Sequence, residues 1–206
     1  MTQVAENFRF EVELAGRGLT PVAGVDEAGR GPLAGPVVAG AVILPADIDL
    51  TPFRDSKKMT AKARERVFEL ICELAIPHGV GYASPAEIDE INILQASLLA
   101  MARAVADLAP LSPGALLVDG KFTIPELQIH QEALIKGEDR SASIAAASIV
   151  AKVTRDRLMA RLDREYPQYG LARHKGYPTK AHKAAIAEHG PSPIHRLSFK
   201  GVREHC

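Results

Sequence analysis

The amino-acid sequence predicts an α/β protein built around one sheet of mixed strand direction. Residues 22–26 and 37–44 are apolar runs on either side of a turn rich in Gly and Pro, a pattern typical of paired antiparallel strands. Residues 115–118 are apolar without interruption, as in strands that are buried on both faces of a sheet. Other segments carry apolar residues at helical spacing, which predicts helices packed on that sheet.

The remaining elements follow from periodicity and from cap residues. In chain order they are a helix over 60–74, a strand over 79–83, a helix over 85–108, a strand over 128–135, a helix over 144–166 and a short helix around 182–186. Thr60 is a typical N-cap, and Ser84 with Glu87 forms a capping box that requires a helix start. Either Ser141 or Ser143 caps the alanine-rich helix that follows.

Length and composition indicate a single globular unit. At 206 residues, 47% of them hydrophobic and 24% charged, the chain is long enough to bury a core. Its first twenty residues lack the apolar stretch of a signal peptide, and its most apolar run, 33–44, is too short to cross a bilayer. Cys72 and Cys206 lack the spacing of a zinc site. We therefore expect a cytoplasmic protein with no membrane anchor and no structural zinc.

Charge is unevenly distributed along the chain although the formal net charge is zero. Residues 173–203 contain seven Lys or Arg and one Glu, a net charge of +6, and the rest of the chain carries −6. A basic segment joined to an acidic body indicates that one part holds a polyanion and the other a metal. A solvated basic face is the alternative interpretation of the same charges.

Carboxylates stand at the predicted strand ends. Asp26 and Glu27 lie between a strand and a Gly-Arg-Gly turn, Asp119 ends a buried strand, and Glu138 and Asp139 precede a helix. Each has a local alternative, as a hairpin residue, a turn residue or a partner of the helix dipole. Gathered at one sheet edge, however, four carboxylates would repel one another without cations. Nucleases use two divalent ions in such a site, and oxygen ligands favour Mg²⁺ or Mn²⁺. This pattern predicts a two-metal phosphodiesterase.

Tyr177 is the candidate for contact with a base or sugar. It stands between Gly and Pro in a basic loop, where a core position is not expected. An exposed aromatic ring there can stack on a nucleotide, or it can pack on the rim of its own domain. The sequence leaves both interpretations open.

Six motifs occur in one order along the chain. They are VDEAGRGPLAG at 25–35, DSKK at 55–58, IDEINIL at 88–94, VDG at 118–120, AAASIVAKVTRD at 145–156 and HKGYPT at 174–179. This ordered set closely resembles bacterial ribonuclease HII. The resemblance implies a ribonuclease H-like fold with a five-stranded mixed sheet flanked by helices and a C-terminal helical segment. We expect a catalytic domain over 1–167 and a basic, substrate-binding helical segment over 168–206.

The resemblance also implies the reaction and its cofactor. It implies hydrolysis of RNA in RNA–DNA hybrids and incision of duplex DNA on the 5′ side of an embedded ribonucleotide, leaving 3′-hydroxyl and 5′-phosphate ends. Two Mn²⁺ or Mg²⁺ ions are expected during catalysis, and nucleic acid is the expected partner of a monomeric enzyme.

Four acids are the expected catalytic and metal-binding residues. By match to the family pattern, Asp26, Glu27 and Asp119 are ligands. Because alternate strand residues point to opposite faces, Glu27 is expected where the strand breaks into the glycine turn. The family has Lys-Gly-Asp before the alanine-rich helix, whereas Glu138 occupies the aspartate position here and Asp139 follows it. Glu138 keeps the register, so it is assigned as the fourth ligand, with Asp139 as the alternative.

Eight residues are the expected substrate contacts. Backbone groups of the Gly-Arg-Gly turn can approach a 2′-hydroxyl closely, the matching tyrosine of the family stacks on the neighbouring deoxyribose, and lysines can hold phosphates. The residues are Gly29, Arg30, Gly31, Lys57, Lys58, Lys175, Tyr177 and Lys180.

Three other functions are weighed against this one. A P-loop is excluded because Gly29 is followed by Arg30 and Gly31 and not by Lys and Ser or Thr. A resolvase or transposase on the same fold would leave the Gly-Arg-Gly turn and the tyrosine loop unexplained. A binding module without catalysis would retain the basic segment but would not need four acids.

Overall fold

A computed structural model describes residues 6–53, 56 and 59–206 of the chain. Lys57 and Lys58, two of the expected phosphate contacts, lie outside the described residues. The elements are the helices α1 Arg9–Gly16, α2 Ala61–Glu73, α3 Pro85–Ala106, α4 Ala142–Glu165, α5 Leu171–His174 and α6 Lys180–His189, and the strands β1 Val22–Ala28, β2 Val37–Val42, β3 His78–Ala83, β4 Ala115–Asp119 and β5 His130–Leu134. Short 3₁₀ turns span Glu6–Phe8, Gly137–Asp139, Pro167–Tyr169 and Arg203–His205.

The sheet has five strands of mixed direction, as predicted. Its strand order is β3-β2-β1-β4-β5, with β1 in the centre. The hairpin pairs β1 with β2 antiparallel, and β3 continues antiparallel on the outside of β2. On the other side β1 runs parallel to β4, and β4 runs parallel to β5. Because parallel strands finish at the same edge, Asp26 and Asp119 are brought to neighbouring strand ends.

Helices cover both faces of the sheet. Helix α3 buries Ile88, Leu98 and Met101 against one face, and α4 packs on the other. The close approach of α4 depends on Gly24, because a Cβ at that position would lie 2.1 Å from the carbonyl carbon of Ser143. Alanine-rich α4 therefore lies almost directly on the backbone of the central strand.

Cap residues set the helix starts as the sequence predicts. Thr60 accepts from the amide of Ala63, and Ser84 and Glu87 form the complete capping box. Of the two candidate serines, Ser141 is the N-cap of α4, since its Oγ accepts from Ile144 N.

Two features depart from the predicted elements. The prediction of an unbroken helix over 85–108 is wrong at Asn92, which has φ 67° and ψ 165° and interrupts α3. The Oδ1 atom of Asn92 accepts from Leu94 N and Gln95 N, so the asparagine caps the second half of the helix.

Helix α1 was not predicted from the sequence. Its buried Glu11 accepts from Ser141 Oγ and Ser143 N at the start of α4.

The C-terminal part of the chain packs on the turn between β1 and β2. Leu33 and Ala34 share a hydrophobic cluster with Met159, Tyr169 and Ile186. Backbone hydrogen bonds join Leu33 N to Gly176 O, Gly35 N to Ile194 O and Arg196 N to Leu33 O. No helix of the described residues has the length and apolar character needed to span a membrane.

The contact between β1 and α4 predicts the effect of a single methyl group. Gly24→Ala is expected to lower the free energy of unfolding by about 3 kcal/mol or more, because the new Cβ would overlap backbone atoms that cannot move aside. Urea unfolding followed by circular dichroism measures the change. Gly16→Ala is the matched control, since a Cβ there meets nothing within 4 Å and a helical alanine adds up to about 1 kcal/mol. Equal stability of the two variants would contradict this packing.

Candidate active site

Asp26 lies near the end of β1 and is 3% exposed. Its Oδ1 accepts from the backbone amide of Glu27 at 2.6 Å. The expected break of the strand at Glu27 is wrong: Glu27 still pairs with Ala39, and the strand continues through Ala28. Beyond Val25, however, β1 has lost its pairing with β4 and is held by β2 alone. The side chain of Glu27 lines the cavity beside the glycine turn.

Asp119 and Glu138 approach this point from two other elements. Asp119 is the last residue of β4, and its Oδ1 accepts from Gly137 N at 2.7 Å. Glu138 is 7% exposed, and its Oε2 accepts from Ser56 N, Ser56 Oγ and Ser148 Oγ, each at 3.0 Å. Asp139 is exposed and lies beside another surface hollow with Glu6, Asn7, Arg9 and Arg140.

The four carboxylates act on one another electrostatically. Burial raises the pKa of Asp26 well above 3.8, and the charges of Glu27, Asp119 and Glu138 raise it further, in that order. The hydrogen bond from the amide of Glu27 opposes the rise. A divalent cation would relieve this repulsion, and carboxylates are the ligands that Mg²⁺ and Mn²⁺ prefer. Among residues 6–53, 56 and 59–206, no three His, Cys, Asp or Glu side chains form a ready-made ion site. The donor set therefore fits such an ion chemically, but its side chains would have to close on it.

Two buried arginines hold the glycine turn. Arg155 on α4 donates to the carbonyls of Pro36, Lys175 and Ala34 at 3.0–3.1 Å. Arg196 donates to Gly35, Arg30 and Gly29 at 2.6–3.0 Å. The two side chains thus satisfy five carbonyl groups of the 29–36 turn and one of the tyrosine loop.

Both arginines are nearly inaccessible, at 1% and 0% exposure for Arg155 and Arg196. Burial is the main cause that lowers the pKa of Arg155 to about 10, and burial together with the charge of Arg155 lowers the pKa of Arg196 to about 9. Both side chains therefore stay charged at neutral pH. Arg196 was counted in the basic segment, but it does not belong to any solvent-facing basic surface.

Tyr177 lies beside the Gly-Arg-Gly turn. The residue is 43% exposed, and a Cβ on Gly31 would lie 3.8 Å from Tyr177 Cε1. The side chain of Arg30 is half-exposed, with Nη1 3.4 Å from Glu27 Oε1. Lys175 is half-buried, and Lys180 is exposed in the first turn of α6. Gly29 of the turn, Tyr177 and Glu27 line one small cavity of about 140 Å³.

Several residues around this cavity had no role assigned from the sequence. They are Ser56, Arg64, Ser148 and Lys152. Arg64 donates to the carbonyls of Ser56 and Met59 and so fixes the segment that presents Ser56 to Glu138. Lys152 forms an ion pair with Asp156, four residues later on α4, at 2.7 Å. Ser56, Ser148 and Lys152 stand within the motifs that carry the resemblance, which was the only signal for them.

Solved structures with the same fold belong to ribonucleases H. The ribonuclease H2 from Pyrococcus horikoshii OT3 is 29% identical, with a TM-score of 0.70 over 89% of this chain and 95% of that one. Bst-RNase HIII in complex with Mn²⁺ is 21% identical, with a TM-score of 0.69 over 89% of this chain and 68% of that one, a likeness of fold alone. The fold is that of the ribonuclease H-type enzymes.

Sequence similarity gives the family. Residues 23–202 match the family model Ribonuclease HII. The Ribonuclease HII of Desulfotalea psychrophila is 57% identical over 202 residues, which cover 97% of this chain and 89% of that protein. The chain belongs to the ribonuclease HII family and is an endoribonuclease.

The arginine contacts predict a large effect for a conservative change. Arg196→Lys is expected to lower the free energy of unfolding by about 3 kcal/mol, because an ammonium group cannot reach three carbonyls and leaves buried acceptors without a donor. Urea unfolding measures it. Arg203→Lys is the control, since the side chain of Arg203 is exposed and pairs with the neighbouring Glu204, and a change within about 0.5 kcal/mol is expected. Arg196→Lys with wild-type stability would show that these carbonyls do not need the guanidinium.

Proposed function

We propose that the protein hydrolyses RNA in RNA–DNA hybrids and incises duplex DNA on the 5′ side of an embedded ribonucleotide by a two-metal mechanism. The observation that carries the proposal is the arrangement around Asp26. Three further acids act on this buried carboxylate, and one of them, Glu27, lines a cavity together with Gly29 of the glycine turn and the exposed Tyr177. One site thus combines groups suited to phosphodiester hydrolysis with groups suited to reading a sugar.

Asp26, Glu27, Asp119 and Glu138 would hold the divalent ions. Mn²⁺ or Mg²⁺ suits this oxygen donor set, and Mn²⁺ is present in the Bst-RNase HIII structure. When bound, two such ions would stabilise the charge that develops on the attacking and leaving oxygens of the phosphodiester. The hydroxyls of Ser56 and Ser148 donate to one oxygen of Glu138, whose charge acts on Asp26.

The Gly-Arg-Gly turn would read the 2′-hydroxyl. The carbonyls of Gly29 and Arg30 are occupied by Arg196. In the described part of the chain, the amides of Arg30 and Gly31 make no hydrogen bond to another backbone group. These N–H groups are therefore the ones that a substrate hydroxyl can meet, and Gly31 is exposed with no side chain to obstruct it. The 2′-hydroxyl is the feature that separates RNA from DNA.

Tyr177 would stack on the deoxyribose beside the ribonucleotide, and lysines would hold the phosphates. The exposed ring and Lys180 support this assignment, together with the half-buried Lys175. We retain Lys57 and Lys58 as phosphate contacts from the sequence alone. Residues 168–206 are proposed as the substrate-binding segment next to a catalytic domain of residues 1–167.

We further propose a monomer in the cytoplasm. Both cysteines are free and exposed, which suits a reducing compartment. Sedimentation of the purified protein would test the oligomeric state.

Two duplexes that differ by one 2′-hydroxyl test the proposal. After divalent ions are removed by dialysis against chelator, neither duplex should be cut. Addition of Mg²⁺ or Mn²⁺ should produce incision 5′ of the ribonucleotide, with 3′-hydroxyl and 5′-phosphate ends, and an RNA–DNA hybrid should also be hydrolysed. Cutting of the all-DNA duplex would contradict sugar recognition, and binding without cutting would indicate a non-catalytic module.

Asp26→Asn separates metal binding from folding. Because the folded state raises the pKa of Asp26, the buried charge destabilises the metal-free protein at neutral pH. The variant should therefore unfold at higher urea concentration without metal, yet lose cleavage by orders of magnitude and gain no stability from Mn²⁺. Asp119→Asn should likewise lose cleavage. Near wild-type turnover in either variant would remove that residue from the ligand set.

The fourth acid can be identified by a matched pair. Glu138→Gln should lower the cleavage rate by orders of magnitude, since Glu138 is buried and acts on Asp26. Asp139→Asn should leave the rate within about twofold, because Asp139 is exposed and a charge near a helix start contributes at most about 1 kcal/mol. Single-turnover rates with Mg²⁺ measure both. The reverse order of rates would make Asp139 the ligand.

A further inference from the structure

Three histidines pack beneath the loop that carries Tyr177. His182 on α6 is fully buried and His195 is 2% exposed. The ring of His174 stacks on His182 with centroids 4.4 Å apart, and the ring of Tyr169 meets His195 edge-on at 4.6 Å. No role for these side chains follows from the acids or from the glycine turn.

The hydrogen bonds of this group have a defined direction. Ser192 N can only donate, and it lies 3.0 Å from His195 Nδ1, which must therefore accept. The carbonyl of Tyr177 can only accept, and it lies 3.1 Å from His182 Nδ1, which must therefore carry a proton. The two Nε2 atoms face each other at 3.2 Å. With both rings neutral, His195 Nε2–H donates to His182 Nε2, and every contact is satisfied.

This chain of hydrogen bonds ends on the backbone of Tyr177. The amide of Tyr177 donates to His174 O, and His174 is fixed in turn by Tyr169 O and Gly176 N. The loop needs such support because Lys175 has a positive φ of 52°, a conformation that residues with a side chain rarely adopt. Arg155 holds the carbonyl of Lys175, and the carbonyl of Tyr177 accepts from Thr179 N at 2.8 Å and from His182 Nδ1 at 3.1 Å.

We propose that His182 and His195 are positioning residues for Tyr177: the directed hydrogen-bond chain from Ser192 through both rings fixes the Tyr177 carbonyl and holds the aromatic ring beside Gly31. The proposal deepens the proposed function, on which it rests for the role of Tyr177 in binding substrate. His182 and His195 touch no substrate and act only through the loop.

Protonation of either ring breaks the chain. A second proton on His182 would set two N–H groups against each other, and a proton on His195 Nδ1 would face Ser192 N–H and leave only Ser192 Oγ to accept it. The titratable and charged neighbours are His174, Tyr169 and His189 in the ring cluster, with Lys183 and Arg196 adjacent in sequence. In the described part of the chain, neither ring has a carboxylate among its hydrogen-bond partners.

The sign of the pH dependence follows from burial. Burial, together with the charge of His182, lowers the pKa of His195 to about 4. Burial also lowers the pKa of His182 from 6.5, and its bond to Tyr177 opposes this. The fold thus binds fewer protons than the unfolded chain, so the stability that depends on neutral rings is complete above about pH 7 and is lost as pH falls toward about 4.

A double-mutant cycle tests the positioning role. KM and kcat are measured with Mg²⁺ on the duplex that contains one ribonucleotide. Tyr177→Ala and His182→Ala should each raise KM about tenfold with kcat within about twofold, and the double variant should be no worse than Tyr177→Ala alone. His182→Asn should recover most of the loss, because its Nδ2–H can replace Nδ1–H toward the Tyr177 carbonyl. His130→Asn, which replaces an exposed histidine on β5 outside the substrate-binding segment, is the control and should match the wild type.

The proposal would be overturned if the KM increases of the two single variants multiplied in the double variant. It would also be overturned if His182→Asn had a KM as high as that of His182→Ala. Nitrogen NMR of labelled histidines gives a readout that is independent of catalysis. At pH 7.5 it should show the Nδ1–H tautomer for His182 and the Nε2–H tautomer for His195, and the opposite tautomers would refute the chain. If Tyr177→Ala leaves KM unchanged, the stacking role fails. The positioning role is then decided by the NMR chemical shift of the Tyr177 carbonyl carbon. This chemical shift must change in His182→Ala and return to the wild-type value in His182→Asn.

Discussion

The hydrogen bonds from two buried guanidinium groups to backbone carbonyls are the constraint on which the rest of the site depends. A turn of eight residues, 29–36, directs many carbonyl groups into the protein interior, where each needs a donor. Arg155 and Arg196 supply six donors in two planar forks, an arrangement that no other side chain can match. Arg196 occupies the carbonyls of Gly29 and Arg30, whereas the amides of Arg30 and Gly31 make no hydrogen bond to another backbone group in the described part of the chain.

The hydrogen bonds of Arg155 and Arg196 also connect parts of the chain that are far apart in sequence. Arg155 belongs to the long helix beside the sheet, and Arg196 belongs to the C-terminal segment. Asp89 adds a further link, since its carboxylate accepts from the amides of Leu197 and Ser198. The C-terminal segment is thus fastened to the turn, to α3 and, through the histidines, to the tyrosine loop. The glycine turn and Tyr177 are thus held in one frame with α3 and α4.

Local signals in the sequence were sufficient for most of the fold. The hairpin, the buried strand and the capping box at Ser84 are each encoded within a few residues, and all are confirmed. The expectation that acids gather at strand ends follows from sheet geometry, since parallel strands end at one edge. Asn92 was missed because helical periodicity continues across it, although asparagine tolerates positive φ better than most residues.

Long-range partners could not be predicted in the same way. Ser56 and Glu138 are 82 residues apart, and nothing local to either indicates the contact. Arg196 stands in a basic segment and has the sequence context of a surface charge, yet it is fully buried. The direction of the histidine chain depends on which atoms face Ser192 and Tyr177, and this is a property of the folded structure only.

Helix α4 also sets the distance between Glu138 and the 29–36 turn. Ser148, Lys152 and Arg155 are spaced by four and three residues and so lie on one face of the helix. Ser148 donates a hydrogen bond to Glu138, Lys152 lines the cavity, and Arg155 donates to a carbonyl of the turn. The distance between acid and turn is therefore set by about two helical turns, roughly 10 Å. Insertion of one residue between Ser148 and Arg155 would rotate the arginine by about 100° and disconnect Glu138 from the turn, even with every functional side chain still present.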